Sequence, residues 1–171
     1  MNRPRVDQAP PDQAPPDPLV EARLAQAADL SAVARVWNSA VSELSQQRGG
    51  PQLLSDTGAA ADGARQSVEL YLGDDRRLAG VGTLRAAVVG LVLASLRSAA
   101  EPAKLDVIYV EPDARKLGVG EAMISLALGW ARAHGCSGVD APALPGNRAA
   151  KAFFETHGFT ARLLVMDRSS G

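Results

Sequence analysis

The chain is poor in the residues that usually announce a function. Of its 171 residues one is a cysteine, Cys136, and two are histidines, His134 and His157. A single thiol excludes an intrachain disulfide, and a reducing cytoplasmic setting is the expectation. Two distant histidines and one cysteine make no zinc site, so no metal is expected. Neither charge sign dominates. The formal net charge is -1 and the basic residues are scattered, without a basic run interleaved with aromatics. That gives no pull toward nucleic acid or an anionic membrane surface. The longest apolar run, Ala86 to Leu96, is too short to cross a bilayer. The N-terminus has no apolar signal segment.

What is present concentrates in Lys104 to Gly120. An apolar strand ends at Val110, and Pro112 stops it because proline cannot donate to a sheet ladder. Arg115 and Lys116 follow, then Gly118 and Gly120 open a helix running toward His134. A glycine turn feeding a helix leaves backbone N–H groups unpaired at its start, and the helix dipole adds partial positive charge there. The arrangement suits a phosphate, and a side chain at either glycine would hold the phosphate off the backbone. The mononucleotide loop G-x-x-x-x-G-K-[ST] is absent. Glu121, Ala122 and Met123 supply no third glycine for the dinucleotide fingerprint. On this segment alone, a plain strand–turn–helix connection with a basic cap would look the same.

The pattern R-x-x-G-x-G, met by Arg115, Gly118 and Gly120 after Tyr-Val-x-Pro, resembles the acetyl-CoA motif of the GNAT superfamily of N-acetyltransferases. Asn147-Arg148-Ala-Ala-Lys-Ala-Phe-Phe-Glu-Thr-His157-Gly158-Phe159 resembles the second signature of that family, N-x-x-A-x-x-[FY]-[FY]-x-x-x-G-F. Arg23 to Leu30 resembles the passage from its first strand into its first helix. The resemblance runs from about Val20 to about Arg168 and is weak between Gln46 and Leu78. It implies a mixed sheet that splays into a V, with acetyl-CoA as cosubstrate in the cleft and an amine as acceptor. Pantetheine would pair with backbone at Ile108, Tyr109 and Val110. The pyrophosphate would sit on amides of Arg115, Lys116, Leu117, Gly118, Val119 and Gly120. Arg115 and Lys116 either touch phosphate directly or are solvated turn cations. Asn147 would reach the pantetheine arm, or cap its helix, or both.

Acetyl transfer needs a neutral amine, an oxyanion donor, and a proton for the departing thiolate. A strand N–H near Val110 could be the donor. Many members of the family carry tyrosine at the second aromatic of the signature as the acid. This chain has Phe154, which has no proton to give. Two carboxylates in strands near the expected cleft, Asp106 and Asp140, are candidate bases. Each could instead belong to a salt bridge, since a carboxylate in an apolar strand is costly unless paired. Glu111 reads as a loop carboxylate, and His157 and His134 as helix C-terminal caps. Cys136 lies past a helix C-terminus, where the dipole disfavours a thiolate, which argues against an acyl-cysteine route. Two functions follow from the resemblance. One is an acetyl-CoA-dependent N-acetyltransferase acting by direct attack in a ternary complex. The other, favoured by Phe154, is an acyl-CoA-binding sensor or scaffold with little turnover.

The length suits one domain with one core, expected over 19–168. Residues 1–18 repeat Asp7-Gln-Ala-Pro-Pro11 as Asp12-Gln-Ala-Pro-Pro16 and have almost nothing to bury. They read as a disordered, polyproline-like leader, with a ligand for a proline-binding partner as the alternative. Residues 169–171 form a tail, and the oligomeric state, including a homodimer, stays open. The patterning predicts an α/β fold, a mixed sheet with helices on both faces, and this agrees with the splayed sheet that the GNAT resemblance implies. The first strand holds Val20, Ala22 and Leu24. A helix capped by Asp29 carries Leu30, Val33, Val36, Trp37, Ala40, Val41 and Leu44 on its apolar face. The span 46–57 reads as loop and 59–72 as a second helix. Strands follow over 78–84, 88–97 and 105–110, then the Gly120 helix and a short buried strand at 138–141. The Asn147 helix and a last strand over 159–166 complete the order.

Overall fold

A computed structural model describes residues 19–57, 69–98 and 100–166. The expected leader, the tail and most of the expected 59–72 helix lie outside the described residues. Of that helix, 69–72 is described and is helical.

Alternating residues build β1, Val20–Leu24, which pairs antiparallel with β2, Arg77–Leu84. Strand β2 turns into β3, Ala87–Ser95, through Arg85 and Ala86, both at positive φ (49° and 66°). Two consecutive left-handed residues are the mark of a turn whose twist matches a hairpin. Strand β4, Ala103–Val110, adds antiparallel to β3. Strand β5, Val139–Asp140, adds parallel to β4 and completes a mixed sheet in the order β1-β2-β3-β4-β5.

Period-two alternation along the central strands sends side chains to both faces. On one face Leu91, Leu93, Val107 and Tyr109 meet α1, Leu30–Ser45, through Val33, Val36, Trp37 and Ala40. On the other, Leu78, Val92, Ala94 and Leu105 meet α3, Val119–Ala133, through Met123, Ile124 and Ala127. Helix α4, Arg148–Thr156, adds Phe154 to that second layer. The sheet with helices on both faces is the architecture expected from the sequence.

Four local expectations are corrected. The span 46–57 is not a loop: it holds α2, Gly50–Asp56, with proline at its first turn and Leu54 buried. Pro51 pre-sets φ for a helix start, where its missing N–H is not needed. Asp29 does not cap α1 through its side chain. Its carboxylate accepts the Gln26 N–H at 2.8 Å and the Arg23 guanidinium at 2.7 and 2.9 Å, closing the 3-10 turn Ala27–Asp29 ahead of the helix. Strand β5 is two residues long and half-buried rather than a buried strand of four. The last strand is absent: 159–166 pairs with nothing in the sheet, and Leu163, Leu164, Val165 and Met166 are exposed. A two-residue β5 offers too short an edge to template another strand, and only Phe159 of this segment packs inward, 5.2 Å from the Phe154 ring.

Candidate active site

The site begins where two strands part. Strand β5 pairs with β4 only at Ala103↔Val139 and Lys104↔Asp140. Beyond Lys104, residues 105–110 of β4 have no strand neighbour on that side among the described residues. Which backbone groups face the gap follows from the ladder. Glu111 N–H bonds Val89 C=O at 2.9 Å, and the register places Val110 opposite Gly90. In an antiparallel pair bonded and non-bonded positions alternate. Tyr109 is therefore a bonded position toward Leu91, while Ile108 and Val110 turn their N–H and C=O away from β3 into the gap. The Val110 carbonyl is found there, accepting Arg115 Nε at 2.9 Å.

At the end of β4 the chain makes a 3-10 turn, Pro112–Ala114, and then the cradle. Lys116 (φ 63°) and Gly118 (φ 92°) are left-handed, and Gly118 is the N-cap of α3. The first helical N–H groups of α3 have no intrahelical acceptor and share the positive end of its dipole. The two glycines serve different needs. A Cβ on Gly118 would meet only Val20 Cγ1 at 4.0 Å, so its requirement is the positive φ. A Cβ on Gly120 would lie 3.1 Å from the Phe153 ring, so its requirement is the close approach of α3 to α4.

Opposite the cradle stands α4. Asn147 caps it, accepting the Ala150 N–H at 2.9 Å, and its amide donates to Gln47 Oε1 at 2.9 Å. Cap and bridge thus coexist in one side chain. Phe154 is buried and stacks edge-on against Phe153 at 5.6 Å.

These elements enclose a cleft of about 370 Å³. Of the residues singled out from sequence, it gathers Asp106, Ile108, Tyr109, Val110, Arg115, Lys116, Gly120, Asn147 and Phe154. Leu117, Gly118, Val119 and Asp140 are not in its lining. Asp140 instead pairs with Arg97 at 3.1 Å and with Arg162. Asp106 is 3% exposed. Its Oδ2 accepts the Tyr71 hydroxyl at 3.1 Å and its Oδ1 pairs with Lys104 Nζ at 3.1 Å. Burial, together with the Asp106 charge, pushes the Tyr71 hydroxyl well above the ordinary tyrosine range. Lys104 also reaches the Asp56 carbonyl at 3.4 Å, so this cluster ties the end of α2 and the helical residues 69–72 to β4.

The sequence reading missed Glu43 of α1. Its Oε2 accepts the Tyr109 hydroxyl at 3.1 Å and Arg115 Nη2 at 2.6 Å, and the guanidinium lies over the Tyr109 ring at 5.5 Å. Burial, then the Glu43 carboxylate, push the Tyr109 hydroxyl upward. A signal existed. Glu43 follows Val36 by seven and Ala40 by three, so it borders the apolar stripe of α1 rather than its solvent side. Gln47, Leu53 and Phe153 also line the cleft; the first two sit in the span misread as loop.

Residues 37–159 match the sequence model of the acetyltransferase (GNAT) family. No curated protein matches the chain. Solved structures share the fold at low identity. AAC(6')-Iy, in complex with the bisubstrate analog CoA-S-monomethyl-acetylneamine, superposes with a TM-score of 0.66 at 16% identity over 89% of this chain and 99% of its own. The aminoglycoside antibiotic 6'-N-acetyltransferase AAC(6')-IG from Acinetobacter haemolyticus gives 0.63 at 20% identity, over 88% and 98%. The ribosomal-protein-alanine N-acetyltransferase of Brucella melitensis biovar Abortus 2308 gives 0.61 at 18% identity, over 89% and 99%.

Proposed function

The chain belongs to the acetyltransferase (GNAT) family, and we propose that it transfers the acetyl group of acetyl-CoA to a primary amine by direct attack in a ternary complex. One observation carries this reading: the edge of β4 at Ile108–Val110, which no described strand pairs, leads through one 3-10 turn to the R-x-x-G-x-G cradle, and Ile108 to Val110 line one cleft with Arg115, Lys116 and Gly120. That edge supports an extended pantetheine arm lying along β4 as a pseudo-strand. The cradle amides of 115–120, with Arg115 and Lys116 beside them, suit the pyrophosphate. The thioester would lie near Val110, whose N–H faces the gap and is placed to donate to the developing oxyanion.

The amine would enter from the α1–α2 side, between Glu43, Leu53 and Asp106. It must be neutral to attack. Each oxygen of Asp106 and of Asp140 already has a cationic or hydroxyl donor. That supports proton loss to cleft water, with Asp106 bracing the acceptor wall. No described side chain at the Phe154 position has a proton for the thiolate, but a thiolate leaves tolerably without one. AAC(6')-Iy with its neamine-based analog and the ribosomal-protein-alanine enzyme, by their names, differ in acceptor. Fold likeness therefore leaves the acceptor to the chemistry of this cleft.

The testing experiment follows thiol release from acetyl-CoA across a panel of primary amines, with mass spectrometry of the products. Thiol that appears only with particular amines, each gaining one acetyl group, is the expected outcome. Phe154 favours a second reading, an acyl-CoA-binding sensor or scaffold. Tight CoA binding with no amine acetylated anywhere in the panel would put that reading in place of the first.

A further inference from the structure

The acceptor side of the cleft holds an arrangement that cofactor binding alone does not require. Glu43 projects from α1 across the cleft to the cradle side and pairs there with Arg115, the arginine of the cofactor motif. Both donors to Glu43, Tyr109 Oη and Arg115 Nη2, fall on Oε2. Its other oxygen, Oε1, has no donor among the described residues, and Glu43 lines the part of the cleft that the proposed function gives to the amine. Arg115 is equally divided. Nε holds the Val110 carbonyl and Nη2 holds Glu43, while Nη1 has no partner among the described residues. Arg115 is thus a residue of the loop that would hold a pyrophosphate whose guanidinium bonds a carboxylate on the acceptor side and the edge of β4.

We propose that Arg115 is shared between Glu43 and the cofactor phosphates, so that cofactor binding loosens Glu43 and makes it the binding carboxylate for a second positive charge on a polyamine-type acceptor. The proposal rests on the reading of 115–120 as the cofactor cradle. Before the cofactor arrives, the guanidinium largely neutralises Glu43. A pyrophosphate at the cradle draws the same charge toward itself, and the carboxylate gains net negative charge where the amine enters. Tyr109 keeps Glu43 oriented meanwhile, since its hydroxyl bond does not involve Arg115. An acceptor with a second ammonium then has a partner in the loaded protein that it lacks in the empty one. The coupling is reciprocal, because whatever loosens the Arg115–Glu43 pair in favour of phosphate is favoured in turn by an ammonium that takes over Glu43.

The test uses the full chain, CoA and spermidine, with calorimetric titrations. Glu43→Gln keeps an acceptor for Tyr109 and removes the charge that competes for Arg115. The pair is half-exposed and so of modest strength. The expected gain in CoA affinity is about two- to fivefold, shrinking as salt is added. Tyr109→Phe removes the hydroxyl but not the charge and should not tighten CoA. Wild type loaded with CoA should bind spermidine more tightly than the empty protein, and Glu43→Gln should lose that difference. In turnover Glu43→Gln should raise the KM for spermidine more than it lowers kcat. Unchanged or weaker CoA binding by Glu43→Gln, or spermidine affinity indifferent to CoA in wild type, would overturn the inference while leaving the cradle in place. A wild-type chain that does not bind CoA would instead remove the cradle reading, and this inference with it.

Discussion

Two carboxylates held by charge pairs make predictions at the scale of the single side chain: Asp29, paired with Arg23 of β1, and Asp106, paired with Lys104 of its own strand. Asp29 is nearly buried, and the Arg23 guanidinium holds its carboxyl below the usual carboxylate range, helped by the Gln26 N–H. Because the folded carboxyl is the stronger acid, the unfolded chain binds more protons between the two titrations, and stability rises with pH there. The pair's contribution is therefore full above about pH 4 and lost as pH falls through the folded titration. Arg23→Gln should cost about 1–3 kcal/mol at pH 7, and urea melts at pH 7 and pH 3 should show that difference shrinking in acid. A difference that stays constant with pH would deny the linkage. Asp106→Asn tests the other carboxylate. It should lower the melting temperature, since Lys104 loses its charge partner, at a cost of about 1–3 kcal/mol. The low-pH limb of the acetylation rate should persist, because neither oxygen is free to take the amine's proton. A lost limb with an unchanged melting temperature would make Asp106 the base. The sequence exposed Asp106 as a polar residue in an apolar strand, but not Tyr71 and Lys104 as its partners. The Tyr71 contact depends on how residues 69–72 and β4 meet, which no local pattern encodes, whereas Lys104 shares a strand and a face with Asp106 and was within reach of the alternation. Glu43 was overlooked for a related reason: on a helix of mixed pattern, one carboxylate beside the stripe looks like any solvated charge.

Elements were legible wherever period and punctuation agreed. The alternation of β2 to β4, the stripe of α1, and Gly118 before a run of apolar residues at helical spacing fixed most boundaries to within two residues. Helix α2 was misread because glycine, glutamine and serine suggested a loop, while the informative pair was Pro51 followed by Leu53 and Leu54. Composition there was overridden by tertiary packing, since Leu54 is buried and Gly50 approaches Leu44 too closely for any Cβ. The cradle makes the prediction at this scale. Gly118→Val forces a β-branched residue to φ 92°, at a cost of about 1–2 kcal/mol or more, with no clash to blame. Gly120→Leu would instead drive a side chain into Phe153. Both should weaken CoA binding at least tenfold by calorimetry. Gly118→Ala, which adds only a Cβ to open space, should act through strain alone and weaken it less. Equal CoA affinity in all three variants and wild type would detach the glycines from the phosphate.

Taken whole, the molecule is a layered α/β unit whose sheet opens at one place, and the opening is set by how little β5 pairs. The sequence conveyed the layers because each face of the sheet reads as alternate apolar positions. It did not convey where pairing stops, since a strand's partner is chosen by distant segments rather than by its own residues. The C-terminal segment shows the same limit. Arg162-Leu-Leu-Val-Met166 has the composition of a strand, yet it finds no edge, and Leu163, Val165 and Met166 are each more than three-quarters exposed. Its one described tie to the domain is the ion pair between Arg162 and Asp140, both partly exposed. A pair of that kind is worth about 0–1 kcal/mol, and the segment buries almost nothing that would add to it. Ending the chain after Thr160, which spares the Phe154–Phe159 contact, should therefore lower the melting temperature of the dilute protein by no more than about 2–4 °C, the shift about 1 kcal/mol produces in a domain of this size. Thermal unfolding of the full and shortened chains at matched low concentration measures it. A much larger fall would mean that these residues are covered in solution. Repeating the melts across a hundredfold range of concentration would then tell whether the cover is a second copy, because only a bimolecular contact makes the melting temperature of the full chain rise with concentration while that of the shortened chain stays fixed.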